Sequence, residues 1–165
     1  MSLIVEDGTG IANAESYCSV ATADARHSNL GNTAWAALTT SAKEQALRKA
    51  TIYMTEAYRE RWIGRRNNLT QALEWPRYGV SVEGWPVNVT TIPTDIVNAC
   101  ADLALKASTT DLAPDLTQGV IRKKIGPIET EYNRGSPQYP RYRAIDMMLS
   151  PYLVTSGPTA KLVRS

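Results

Sequence analysis

The run Ser41-Ala42-Lys43-Glu44-Gln45-Ala46-Leu47-Arg48-Lys49-Ala50-Thr51-Ile52-Tyr53-Met54-Thr55-Glu56-Ala57-Tyr58-Arg59-Glu60-Arg61-Trp62 decides the fold. Leu47, Ala50, Met54, Ala57, Tyr58 and Trp62 recur three and four residues apart, which lays an apolar stripe along one side of a helix. Lys43, Glu44, Arg48, Lys49, Glu56, Arg59 and Glu60 fall mainly off that stripe. Ser41 with Glu44 three residues on fits a capping box. The pattern predicts a helix over about 41–62, stopped by Gly64.

Working outward, Ile92-Pro93 opens a second amphipathic helix, because proline is tolerated in a first turn whose N–H has no partner. Asp95 complements the dipole there. Ile96, Val97, Cys100, Leu103, Ala104 and Ala107 form its inward stripe, and it ends near Ser108. On the N-terminal side, residues 3–19 read as extended chain punctuated by Gly8 and Gly10. Ser19 caps a short helix from Val20 to about Asn29, ended by Gly31. Asn32 to Leu38 reads as a connector carrying Trp35.

Residues 64–92 hold Pro76, Pro86, Gly79 and Gly84, so no long helix or central strand crosses them. A loop of that length is usually functional or packed on itself. Val120 to Tyr132 reads as a hairpin, with Ile128, Thr130 and Tyr132 alternating with Glu129 and Glu131. The last helix runs from about Pro140 to Leu149, with Pro151 ending or kinking it. Residues 155–165 lack the apolar mass to fold alone and read as a mobile tail. The expected architecture is mainly α: a small helical bundle with a β-hairpin over residues 1–154, then a flexible C-terminal tail.

With 165 residues, 43% apolar and 21% charged, one domain with its own core is expected. There is no Phe; eight Tyr and four Trp supply the aromatic bulk, and each suits a half-buried site better than a deep core. Cys18 and Cys100 make no disulfide framework and read as reduced, buried thiols in a reducing compartment. The opening Met1-Ser2-Leu3-Ile4-Val5-Glu6-Asp7 lacks the pattern of a signal peptide. No run reaches the length of a membrane span.

The chemistry-bearing residues are sparse. His27 is the only histidine and has only Asp24 close in sequence, so it reads as structural rather than as a metal ligand. No Gly-x-Ser-x-Gly elbow surrounds a serine. Gly8-Thr9-Gly10 lacks the third glycine of a dinucleotide fingerprint and reads as a tight turn. Glu129 and Glu131 read as solvated. No catalytic site, metal or cofactor is expected.

Basic clusters stand out more. Arg59, Arg61, Arg65 and Arg66 surround Trp62; Arg122, Lys123 and Lys124 sit on the hairpin; Arg134, Arg141 and Arg143 precede and enter the last helix. Arginines beside aromatics can hold a single nucleic-acid strand, and the same residue types are enriched at protein interfaces. The net charge of +2 neither demands nor excludes a nucleic-acid partner.

Several segments in order resemble the head–tail connector (adaptor) subunits of tailed bacteriophages. They are Leu3 to Gly10 with Ala12-Asn13-Ala14-Glu15-Ser16-Tyr17; Gly31-Asn32 with Trp35; Ala46-Leu47-Arg48-Lys49-Ala50-Thr51; Gln71-Ala72-Leu73-Glu74-Trp75-Pro76-Arg77; Ile92-Pro93; Lys124-Ile125-Gly126-Pro127-Ile128-Glu129; and Tyr142-Arg143-Ala144-Ile145-Asp146 through Leu149. The resemblance implies a virion protein of the phage neck, made in the host cytoplasm, without catalysis or membrane contact. It implies a twelve-subunit ring that joins the portal protein to the next neck or tail protein. Double-stranded DNA would pass through the ring without sequence recognition. The family's C-terminal segment docks into the portal, which by position points to Lys161, Leu162, Val163 and Arg164. Trp75 and Trp85 are the candidates for a subunit or tail-side interface, or else caps on the helical core. Some similar proteins carry the label of a DnaT-like single-stranded-DNA-binding protein, which implies a replication role and stands as the second reading.

Overall fold

The computed structural model describes residues 2–115, 122–125, 128–131 and 140–154, with the two strand segments described by their backbone. Five helices dominate: α1 (Val20–Asn29), α2 (Thr33–Ala36), α3 (Thr40–Tyr58), α4 (Thr94–Ala107) and α5 (Arg143–Leu149), the last running into a 3-10 turn at Ser150–Tyr152. Three antiparallel strand pairs accompany them among the described residues. They are β1 (Arg65–Arg66) with β2 (Arg77–Tyr78), β3 (Ser81–Val82) with β4 (Trp85–Pro86), and β5 (Arg122–Ile125) with β6 (Ile128–Glu131). The fold is mainly α, as the hydrophobic periodicity predicts.

α1 begins where expected. The Ser19 hydroxyl accepts from the Thr22 backbone N–H at 3.1 Å, and Gly31 leaves the helix at φ +71°. Asn32 to Leu38 is not a plain connector: Thr33–Ala36 forms the single turn α2 and buries Trp35. The boundaries of α3 also differ from expectation. Thr39, not Ser41, is its cap, accepting from the Ala42 N–H at 3.3 Å. Either hydroxyl can serve, and Thr39 is the one that stands in extended conformation before the first helical residue. The helix stops at Tyr58, four residues early, because Trp62 is drawn into an antiparallel bridge with Leu153. There Ile63 N–H donates to Tyr152 O at 3.0 Å and Val154 N–H to Arg61 O at 2.6 Å. Tertiary pairing overrides the helical period at this point. Ala57, placed on the stripe by spacing, is exposed.

α4 packs along α3 and forms the centre of the core. Ile96, Ala99, Cys100, Ala101, Leu103, Ala104 and Ala107 are buried from its side, and Leu47, Ala50 and Met54 from α3. Val97, expected inside, is only half-buried. Truncating a fully enclosed side chain such as Leu103 to Ala would cost about 2–5 kcal/mol. α1 is pinned to α4 by Arg26, whose Nε and Nη2 each reach an Asp102 oxygen at 2.7 Å. This is the bidentate geometry that makes arginine pairs strong.

The aromatics lie deeper than expected. Trp35, Trp62 and Trp75 are all buried. Tyr53, Tyr58, Trp62, Trp75 and Tyr152 follow one another as a chain of tilted and edge-to-face contacts with centroids 5.6–6.4 Å apart. With no Phe in the sequence, these rings must fill the core. Several find partners for their polar ends: Trp35 Nε1 donates to Asp24 at 2.6 Å, and Tyr152 Oη to Asp95 at 2.9 Å.

The expected hairpin is present as β5–β6, whose register sets Arg122 opposite Glu131 and Lys124 opposite Glu129. Gly126 and Pro127, and the proposed tail at 155–165 with Lys161, Leu162, Val163 and Arg164, lie outside the described residues. So do the side chains of Glu129 and Glu131. Among the described residues no helix is long and apolar enough to cross a membrane.

Candidate nucleic-acid interface

The loop over residues 64–92 is packed on itself, and one arginine organises it. Arg77 stands at the start of β2 with its guanidinium turned inward and 7% exposed. Its Nε donates to Ile63 O at 2.8 Å and its Nη2 to Gly64 O at 2.8 Å. Its Nη1 donates to the Glu74 carbonyl at 3.1 Å and to the Glu74 carboxylate at 2.8 Å. A planar guanidinium is the side chain able to serve three carbonyls and a carboxylate at once. Burial pulls the Arg77 guanidinium below its ordinary value, and the Glu74 carboxylate works against that shift.

Two further contacts close the loop. Gly64 turns at φ +72°, and a Cβ there would collide with the Tyr78 carbonyl, so the approach of β1 to β2 requires glycine. Gln71, buried, accepts from Asn68 N–H at 2.9 Å and donates to Leu73 O at 2.8 Å and Pro76 O at 3.0 Å. The Tyr17 hydroxyl accepts from the Glu74 and Trp75 backbones at 3.0 and 3.3 Å, fastening the loop to the N-terminal extended segment.

This scaffold presents a basic and aromatic outer face. Arg65 and Arg66 on β1 are exposed, and Tyr78 on β2 is 54% exposed. The Arg65 guanidinium lies 5.1 Å from the centre of the Tyr78 ring, a cation–π contact. Arg65, Arg66, Asn67, Asn68, Leu69 and Tyr78 enclose an open hollow of about 470 Å³, and Leu69 at its rim is 89% exposed. Of the basic cluster seen in the sequence only Arg65 and Arg66 share this surface, and its aromatic is Tyr78. Trp62, around which the arginines were expected to gather, is 4% exposed and belongs to the core. Arg61 instead covers the Tyr58 ring at 5.5 Å, and Arg59 leans toward Glu74 at 3.9 Å. Sequence spacing missed Tyr78 because its partner arginine is thirteen positions away and only the β1–β2 register brings them together: Arg65 pairs with Tyr78.

The other basic clusters are less concentrated. β5 carries Arg122, Lys123 and Lys124 opposite a strand that carries Glu129 and Glu131. Arg141 and Arg143 are exposed beside α5, and Arg134 lies outside the described residues.

The two tryptophans proposed as interface residues part company. Trp75 is fully enclosed, with edge-to-face contacts to Trp62 at 5.9 Å and Tyr152 at 5.6 Å, so it caps the core from inside. Trp85 is 78% exposed on β4. The turn before it, Glu83-Gly84, has φ +53° and +87°, the positive pair that a tight two-residue hairpin uses.

The remaining candidates are structural. His27 is buried against Trp35 at 4.8 Å, with Nε2 3.0 Å from Ala101 O and Nδ1 3.0 Å from the Asn32 amide. Cys100 is enclosed beside Thr51 and Ser16, and burial raises its thiol above the ordinary range. Gly8-Thr9-Gly10 wraps an internal anion rather than a phosphate. Glu6, 4% exposed, accepts from the N–H groups of Gly8, Gly10 and Ile11 at 2.8–3.0 Å. Among the described residues no group of three His, Cys, Asp or Glu could hold a metal.

A family model described as "Putative DnaT-like ssDNA binding protein" matches residues 1–165. The chain belongs to that family. No curated protein and no solved structure matches it. Within this DnaT-like chain the Arg65–Tyr78 face brings an exposed guanidinium onto an exposed ring.

Proposed function

We propose that the protein binds single-stranded DNA, and that the β1–β2 ribbon is where it does so. The observation that carries this is the Arg65–Tyr78 pair at 5.1 Å with Arg66 on the same strand. Bases stack on an exposed ring whatever their identity, and neighbouring guanidiniums neutralise the backbone. Membership of the DnaT-like family supports the same ligand class. Asn67 adds an exposed polar group at the edge of the hollow, whereas the Asn68 amide is taken up by Gly10 O and by the Thr70 and Gln71 N–H groups. No catalysis is assigned to the chain in this reading.

The test is the anisotropy of a labelled thymidine oligomer titrated with the full chain at low and at physiological salt. Binding that weakens with salt, is stronger than for a duplex of equal length, and falls at least tenfold in Tyr78→Ala supports the proposal. Absence of binding at low salt, or binding indifferent to Tyr78, overturns it.

A second reading is the phage neck subunit, a ring component between the portal protein and the next neck or tail protein, located in the virion. What favours it is the order of connector-like segments along the chain and a solvent-facing Trp85 on the β3–β4 hairpin. Particles that assemble full heads but fail to join tails when the gene is deleted would support this reading over the first. Normal particles with impaired replication would reject it.

A further inference from the structure

Leu69 is the most exposed large apolar side chain among the described residues, at 89%. The turn that carries it is nevertheless held on both sides. Before it, Asn67 N–H donates to Pro76 O at 3.1 Å, and Asn68 N–H donates to the buried Gln71 side chain at 2.9 Å. After it, the Thr70 N–H and hydroxyl both donate to Asn68 Oδ1 at 2.7 Å. The Asn68 amide nitrogen reaches Gly10 O at 3.2 Å and fastens the turn to the N-terminal segment. Every one of these bonds is made by a residue other than Leu69, so the turn does not need a leucine at its tip. A side chain on an anchored turn also loses little backbone freedom when a ligand meets it.

Leu69 borders the same hollow as Tyr78. Its volume of about 470 Å³ falls within the ~300–1,000 Å³ span of small-molecule sites. Arg65 lies over the Tyr78 ring at 5.1 Å, and Tyr78 is still 54% exposed. No acidic residue is among the described residues that border the hollow, and its two charged groups are the guanidiniums of Arg65 and Arg66. The hollow therefore joins an apolar prong, an aromatic ring and two cations. A flat ring linked to an anion has the matching composition, and a nucleotide is such a unit.

We propose that one nucleobase of a single strand enters the hollow between Leu69 and Tyr78, with its flanking phosphates at Arg65 and Arg66. The base stacks on the Tyr78 ring and Leu69 covers its other side. A base fits there only after leaving its neighbours. In a duplex it gives up stacking and pairing together, whereas in a single strand it gives up stacking alone. Leu69 is thus the residue that separates single strand from duplex. This inference rests on the β1–β2 ribbon being the strand site proposed above.

Anisotropy titrations of the full chain test it with a labelled thymidine oligomer, a fully abasic oligomer of equal length and a duplex. Leu69→Ala, at an exposed position and checked for unchanged melting, is the variant. It is expected to lower affinity for the thymidine oligomer about five- to tenfold. Its affinity for the abasic oligomer and its salt slope should match the wild type, and its preference for single strand over duplex should narrow. Leu69→Phe should restore the thymidine affinity. If Leu69→Ala binds the thymidine oligomer as the wild type does while Tyr78→Ala does not, the inference falls and the ribbon remains the strand site. Equal losses on the thymidine and abasic oligomers also overturn it, because no base is then involved. Free thymidine monophosphate that displaces the oligomer at equal nucleotide concentration would assign the hollow to a small ligand and overturn it too. A wild type that binds no oligomer at low salt removes both readings together.

Discussion

The Tyr58 hydroxyl donates to the Asp146 carboxylate at 2.7 Å and so ties the end of α3 to α5. Burial, then the Asp146 partner, raise the Tyr58 phenol above its ordinary range, so it remains a donor throughout the accessible pH range. Tyr58→Phe keeps the ring in the aromatic chain and deletes only the donor. The expected loss is about 1.5–3 kcal/mol, the usual contribution of a hydrogen bond to a charged group. Urea denaturation should show a lower midpoint with an unchanged slope; an unchanged midpoint would mean that the α3–α5 link carries no stability.

Arg77 is expected to be the least replaceable charged residue of the loop. In Arg77→Lys the positive charge persists, but one ammonium cannot reach Ile63 O, Gly64 O and both Glu74 acceptors together. The unfulfilled carbonyls and the largely shielded Glu74 carboxylate set the loss at about 3–5 kcal/mol. Thermal melting of Arg77→Lys and Arg77→Met separates the roles: similar losses in both point to geometry, and a mild Lys effect would point to charge alone.

The salt dependence of oligonucleotide binding is expected to report Arg65 and Arg66 directly. Replacing both with Ala should flatten the plot of log affinity against log salt by about 1.4, at roughly 0.7 per phosphate contact on a single strand. Tyr78→Ala should lower affinity while leaving that slope in place. If the double variant keeps the wild-type slope, the phosphate contacts lie elsewhere on the molecule.

Acid should weaken the α1–α2 corner through Asp24. Burial pushes this carboxyl up, but the bonds from Lys43 and Trp35 outweigh it, and the net position is below the ordinary value. A depressed carboxyl contributes stability above the unfolded value, near pH 4. That contribution is lost as pH falls through the folded value. Asp24→Asn should therefore show a smaller drop in urea midpoint between pH 7 and pH 3 than the wild type. Equal drops would assign the acid sensitivity to other carboxylates.

The helical part of this molecule was largely legible from spacing. The α4 stripe and the Ser19 cap depend on contacts within a few residues, which is what periodicity and capping rules encode. What escaped them depends on distant partners. Trp62 fits the α3 stripe by spacing, yet its bridge to Leu153 draws it out of the helix. Thr39 and Ser41 are chemically equivalent caps, and local pattern has no means to rank them. The candidate surface shows the same division. The arginines were visible as a cluster, but the exposed ring beside them is Tyr78 rather than Trp62, a consequence of strand register that no window of a few residues contains. Of the two interface tryptophans, Trp75 is enclosed by Trp62 and Tyr152, both remote from it in sequence. The phage-neck expectation rests on the order of segments, and the family match strengthens the DNA-binding alternative instead.

The described C-terminal segment is fastened up to Val154 by a clasp of two backbone bonds, Ile63 to Tyr152 and Val154 to Arg61. Mechanical tension applied to whatever follows Val154 is therefore delivered to the Trp62 segment, in the middle of the chain. The clasp bonds lie across an antiparallel bridge, so they would be loaded one after the other, like teeth of a zip, rather than together. The outermost, from Val154, would part first. A pulling experiment on the C-terminus should accordingly release Val154 first, and Tyr152, held by Asp95 and the Trp75 ring, only at a later and higher force.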